Sequence, residues 1–247
     1  MRTHNKTLAP LMAALLLSTP ISVVAEDDSS LEATATLGAS INRGNTDSER
    51  YSLTFDYLQR TREHRFTFDA EANRGESDGD EDVNNTRAAS GYDWFFHGPW
   101  YANTSLSWRQ DRMRDLYGRY SFGAGAGYQF FDDDQIRLSV EFGPSYIYEI
   151  EEKIDDRESS DQGAARWALD YRQYVWEDSV RIFHRHEFVM MADDSDNWYA
   201  TTRTGVRMPV RENLSASLQF NYDYDNKTTA DHRYDSTTLV TLTYDWE

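Results

Sequence analysis

"STTLVTLTYDWE", residues 236–247, decides the reading of this chain. Every second residue from Thr238 gives Thr238, Val240, Leu242, Tyr244 and Trp246. Between them stand Thr237, Leu239, Thr241, Thr243 and Asp245. One face is apolar and closes on two aromatics, while the other is mostly hydroxyl and acid. A period of two with unlike faces marks a strand. The chain carries a net charge of −18 and a mean hydropathy of −0.78, so an aliphatic and aromatic stripe at its end asks for a special surrounding.

The same alternation runs along the sequence. In "LEATATLGASI", Leu31, Ala33, Ala35, Leu37, Ala39 and Ile41 form one set; Glu32, Thr34, Thr36, Gly38 and Ser40 form the other. The rule predicts about twelve strands, near 31–42, 50–59, 64–74, 84–96, 100–110, 119–131, 136–148, 163–174, 179–190, 197–208, 214–225 and 236–246. No helical period competes. The connections alternate too: "RTRE", "HGP", "DDDQ", "VWED" and "VREN" are short, whereas "GESDGDED", "DRMRDLYG", "IEEKIDDRESSD", "MADDSD" and "NKTTADHRYD" are longer and charged. Short turns on one rim, long loops on the other and an even strand count are the plan of a closed antiparallel transmembrane β-barrel.

A soluble β-sandwich also alternates, and the aromatics separate the two. With the N-terminus at the short-turn side, Trp94, Phe96, Trp100, Tyr128, Phe130, Tyr171, Tyr244 and Trp246 fall at that rim. Tyr51, Trp108, Tyr120, Tyr146, Tyr148, Trp198, Tyr222 and Tyr224 fall at the other. Leu53, Ala102, Leu106, Ala124, Ala126, Leu169, Leu218 and Val240 lie between. Two aromatic girdles around an aliphatic band suit a bilayer, and a sandwich core has no cause to sort residues this way. The terminal stripe is then a lipid-facing surface.

Residues 1–25 read as a Sec-type signal peptide: Arg2 and Lys6 precede an apolar run, and Val23-Val24-Ala25 offers the small residues of a cleavage site. Pro10 and Pro20 and the immediate Glu26-Asp27 argue against a membrane anchor. Residues 26–247 form a single expected barrel domain, with 23 basic and 43 acidic side chains and a net charge of −20. This acidity argues against nucleic-acid partners. Cysteine is absent, which removes disulfides and thiol chemistry.

The alternate face explains the polarity. Only Lys153 and Lys227 remain after residue 25, both expected in loops. Arginine supplies the inward cations: Arg65, Arg87, Arg119, Arg137, Arg166, Arg172, Arg181, Arg185, Arg203 and Arg207. Asp56, Asp69, Glu71, Asp93, Glu141, Asp170, Glu187 and Asp223 share that face. The guanidinium fork suits shared carboxylate networks. Two uses are open: a lattice that props the barrel, or a selective ion path. Ser121, Gly123, Gly125 and Gly127 would leave room against the sixth strand, so the path, if open, is expected there. Arg166, Arg172, Arg181, Arg185, Arg203 and Arg207 would outnumber acids at its constriction and favour small anions weakly.

"RGNT" at 43–46, "RDLYGRYSFGAGAGYQF" at 114–130 and the closing Tyr-x-aromatic strand, together with the leader, resemble the YdiY-like salt-induced outer membrane protein family, domain of unknown function 481. The resemblance spans residues 31–246. It implies a Gram-negative outer-membrane barrel with no assigned activity, so it brings no functional residues. Independently of the resemblance, the expected partners are membrane lipid, lipopolysaccharide and the barrel assembly machinery, with small ions if the path is open; the chain is expected as a monomer without a cofactor.

Enzyme readings are weak. His64 and His97 fall in short turns and His232 in a loop. His184 and His186 share a face at i, i+2, but no third ligand and no nucleophile accompanies them. A local shift of the alternation, or a place at the outer rim, is expected for this pair. In "ESDGDEDVN", Asp78, Asp80 and Asp82 are candidate cation contacts, without the spacing of an EF-hand. Pro144 has no ladder donor, which predicts a bulge or break in the seventh strand near Gly143-Pro144, close to the outer rim.

Overall fold

A computed structural model describes residues 30–42, 48–153, 156–176, 179–228 and 233–246. The expected leader, "RGNT", His232 and Glu247 lie outside the described residues. The chain forms twelve strands: β1 (Ser30–Asn42), β2 (Ser48–Arg60), β3 (His64–Ser77), β4 (Asp80–His97), β5 (Trp100–Asp111), β6 (Leu116–Asp132), β7 (Ile136–Lys153), β8 (Asp156–Val175), β9 (Val180–Met191), β10 (Trp198–Arg211), β11 (Leu214–Asp225) and β12 (Tyr234–Trp246). Each pairs antiparallel with its chain neighbours, and β12 returns to β1, closing the barrel.

The closing seam runs from Ala33 opposite Trp246 to Ala39 opposite Val240. Hydroxyls stitch it from within: Thr36 and Thr243 approach to 2.9 Å, and Thr34 donates to Asp245 at 3.1 Å. Closure leaves no unpaired edge around the ring.

The alternation separates the faces as expected. Leu37, Leu218 and Val240 are 65%, 57% and 65% exposed on the outside, while Thr241 and Thr243 are 2% and 0% exposed within. Aromatics pair along both rims. Trp100 packs edge-on to Tyr128 at 4.8 Å and Tyr244 to Trp246 at 4.8 Å on the short-turn side; Trp198 stacks on Tyr224 at 4.7 Å and Tyr222 on Tyr234 at 5.9 Å on the other.

The long-loop side differs from expectation because strands run further. Asp78 (φ 51°) and Gly79 (φ 90°) form a two-residue turn, so most of "GESDGDED" is strand. An Asp-Gly pair in left-handed conformation matches the twist of a tight hairpin. Likewise β7 and β8 pair out to Lys153 opposite Asp156, placing Lys153 in a strand and most of "IEEKIDDRESSD" in a ribbon. This ribbon rises past β6, whose pairing with β7 ends at Leu116 opposite Glu151, and past β9, which ends at Met191 opposite Ala164. "DRMRDLYG" holds a short 3-10 turn, Arg112–Arg114, with Asp111 accepting from the Met113 amide at 3.2 Å.

At Gly143-Pro144 the ladder to β6 is interrupted, yet Gly123 opposite Ser145 and Ala126 opposite Phe142 keep one register. This is a break without a bulge, and it lies in mid-strand rather than near the rim. Two glycines permit it: a Cβ on Gly143 would stand 2.1 Å from the Ala124 carbonyl oxygen, and one on Gly125 2.4 Å from that of Phe142. The Ser145 hydroxyl donates to the Phe122 carbonyl at 3.1 Å beside the gap.

Candidate functional site

The inward faces of all twelve strands converge on the lumen, where a wide polar channel or a filled interior would be built. In a ring of twelve, facing walls lie five or six strands apart. Contacts between such strands therefore cross the lumen.

Several ion pairs make that crossing. At the short-turn end, Glu32 on β1 accepts from Arg137 on β7 at 3.2 Å and from Arg172 on β8 at 3.1 Å. Farther in, Arg185 on β9 bridges Asp56 on β2 and Asp170 on β8, each at 3.0 Å. Arg203 on β10 grips Asp223 at 2.8 and 3.2 Å and reaches Glu71 on β3 at 3.6 Å, while Glu71 also holds Arg87 at 3.0 Å. Toward the long loops, Arg109 on β5 lies 3.7 Å from Asp223 on β11, and Arg119 on β6 lies 2.5 Å from Glu149 and 3.5 Å from Asp225. Paired charges with several partners each are the form in which ions tolerate a partly desolvated interior.

The remaining lumen residues fill the gaps. Arg166 joins Glu141 at 2.8 Å and Glu187 at 2.7 Å. Arg207 meets Asp245 at 3.1 Å, and the Arg181 guanidinium stands over Tyr174 at 6.0 Å. Arg65 donates to Asp93 at 2.6 Å and to Gln129 at 2.7 Å, and lies over the Tyr101 ring at 5.0 Å.

One expectation fails here for a packing reason. The space along β6 is occupied: Tyr101, 0% exposed, lies where a Cβ on Gly127 would meet its ring at 2.1 Å, and Gly123 faces the Ser105 hydroxyl. The glycines admit neighbours instead of leaving a passage. The arginines also have acidic partners beyond those expected: Glu32, Asp132, Glu149, Asp225 and Asp245. Those acids were legible: Glu32 and Asp245 stand on the inward set of their strands.

The other candidates are scattered. His184 and His186 face outward in mid-β9, whose registers with β8 and β10 carry no shift, so neither a local slip nor a rim position accounts for them. Each ring is held by a threonine, His184 by Thr204 at 2.7 Å and His186 by Thr202 at 2.9 Å, and the rings stack 6.3 Å apart. Asp78 sits in the β3–β4 turn, Asp80 opens β4, and Asp82 is bound to Arg50 at 2.7 Å. Among the described residues, no group of three His, Cys, Asp or Glu could hold a metal ion.

No curated protein matches the chain. Among solved structures, it resembles the translocator domain of autotransporter NalP from Neisseria meningitidis at 11% identity and a TM-score of 0.48, over 88% of each chain. Similarity to the NanC porin is 8% identity and TM-score 0.47, over 87% of this chain and 98% of that one. The COG4313 outer membrane channel from Pseudomonas putida F1 gives 10% and 0.47, over 92% and 98%. The family of proteins of unknown function DUF481 matches residues 35–246, and the chain belongs to that family.

Proposed function

We propose that this protein is a non-enzymatic outer-membrane β-barrel of a Gram-negative envelope, its lumen closed by its own arginine–carboxylate lattice. The exposed aliphatic band between two aromatic rims supports the membrane setting. Export through the leader, insertion by the barrel assembly machinery and a monomer among lipid and lipopolysaccharide belong to the same reading. So does a stress-protective role in salt, since a sealed barrel adds wall without adding leak.

The observation that carries the closed lumen is the set of pairs joining facing walls: Glu32 with Arg137 and Arg172, Asp56 with Arg185, Glu71 with Arg203, and Arg109 with Asp223. An ion passing through would have to part several of them. Recording from the refolded protein in a planar bilayer tests this. Heat-modifiable barrels in a membrane without unitary current steps are the expected result. Sustained steps from the unaltered protein at neutral pH would replace this reading with the narrow anion-preferring channel.

A further inference from the structure

Above the Arg109–Asp223 crossing, the long-loop end of the lumen opens into a cup of about 210 Å³. That is room for roughly seven waters at ~30 Å³ each. It lies below the ~300 Å³ at which drug-sized pockets begin, so any occupant is a small solute.

Four basic and five acidic side chains line the cup, which decides what charge it takes. A simple ion of either sign meets like charge wherever it settles, and a neutral polyol would leave ionic groups desolvated. A molecule carrying both signs matches the wall at no net charge transfer. Two lining groups are under-used. Arg109 contacts its two carboxylates only at 3.4 and 3.7 Å, whereas a charge-assisted bond spans about 2.7–2.9 Å. Its neighbours in the cup are held more closely, Arg114 at 2.6 Å by Asp235 and Arg119 at 2.5 Å by Glu149. Glu151, on β7, has no cation within ion-pairing distance among the described residues. Leu116, Ile147 and Met191 border the same space but are packed against their neighbours and buried, with Tyr199 beneath the Arg119 guanidinium at 4.6 Å, so the cup presents mainly charge.

We infer that the cup binds a small zwitterion of the amino-acid class. Its carboxylate meets Arg109 and its ammonium meets Glu151. The barrel would then be a surface receptor for such a solute rather than a route for it. The inference rests on the lumen being closed below the cup, and conductance reports that closure separately from binding.

Calorimetric titration of the detergent-folded protein tests it, with leucine as probe, N-acetyl-leucine as the anion and leucine amide as the cation. Saturable leucine binding is expected, with both derivatives at least about tenfold weaker, the loss of one charge-assisted hydrogen bond. Arg109→Gln and Glu151→Gln should each weaken leucine about tenfold. Val240→Ala, on the outer face of the barrel, should leave binding unchanged. If Arg109→Gln does not fold, Glu151→Gln and the derivative panel on the unaltered protein decide the matter. Absence of saturable leucine binding, equal binding of either derivative, or no effect of Glu151→Gln would overturn the proposal.

Discussion

The Glu71 carboxylate on β3 faces the Arg203 guanidinium on β10 across the lumen, with Oε2 3.6 Å from Nε. Glu71 is 4% exposed and also holds Arg87 at 3.0 Å, so one acid stands between two cations that cannot leave. Both arginines keep other partners, Asp223 for Arg203 and Asp69 for Arg87, and the acid is a junction rather than one end of a pair.

Glu71→Gln should therefore destabilise the barrel by about 3 kcal/mol, the usual cost of stripping one partner from a buried ionic group. Urea titration in lipid vesicles, read by tryptophan fluorescence, measures it. A loss under about 1 kcal/mol would mean the site is hydrated like a surface pair.

Glu32, Asp56 and Glu71, on β1 to β3, reach across the lumen from one side, as Asp223 and Asp225 do from β11. Combined replacement of Glu32, Asp56 and Glu71 by amides should produce unitary current steps, whereas the unaltered protein, with its proposed closed lumen, is expected to show none. The steps should prefer anions, because the arginines left behind set the sign at the constriction. A triple variant that folds and stays silent would show that bulk, not charge, fills the lumen.

Leu218 and Val240 stand on the exposed band, and arginine at either should cost about 2–4 kcal/mol in a bilayer. The adjacent inward positions are crowded as well: Thr241 packs toward Gly38, where a Cβ would lie 3.2 Å from its methyl. Arginine there is not a mild control. Truncation separates the faces better. Leu239→Ala, at 2% exposure, should leave a cavity and cost about 2–3 kcal/mol, whereas Val240→Ala is closed over by lipid chains and should cost less. Equal losses would contradict the assignment of faces.

Gly143→Ala should destabilise by about 1–3 kcal/mol, because its methyl would meet backbone that cannot swing aside. Gly163 on β8, where an added methyl would meet only open space, should accept alanine without loss. Heat-modifiability on gels and vesicle unfolding distinguish the two.

At the long-loop side, the Lys227 ammonium donates to the Asp194 carboxylate and joins two neighbouring loops. This bond holds Asp194 below the ordinary aspartate range and Lys227 above its own. A carboxylate so lowered contributes its tether above the ordinary range and loses it as pH falls through the lowered value. This tether should persist through neutral and mildly acidic pH and be lost only below the usual aspartate midpoint, while the Asn226 bonds to the Asp196 and Trp198 carbonyls remain. An NMR titration of the Asp194 carboxyl checks this, and Lys227→Met should raise the midpoint toward the ordinary range, with the Asp196 and Asn197 amides still holding it down.

The strand plan was readable because a period of two survives in nearly every segment, and β11 begins and ends where its pattern does. The long-loop ends were read short. Charged residues such as those of Asp156–Asp161 look like loop by composition, but a ribbon needs only backbone pairing, which leaves no mark on hydropathy. The lumen was half legible. Alternation put Arg203 and Glu71 on the same face, but which wall meets which depends on shear and barrel diameter, and no local spacing records those. The role of Gly127 was misread for the same reason: a missing side chain signals room, and only the fold shows that Tyr101 takes it.

The seam between β1 and β12 has a kinetic meaning. Thr34 and Asp245 are 211 residues apart, and every other neighbouring pair of strands is adjacent in sequence. Hairpins can form early at small entropic cost, but this junction waits on the whole chain. Until it forms, β1 and β12 are both sticky edges, able to pair with any other unfinished copy. The Thr36–Thr243 and Thr34–Asp245 stitches act at that last step. Substitutions such as Thr243→Val should therefore slow completion of folding and promote aggregation more than they lower the stability of the finished barrel.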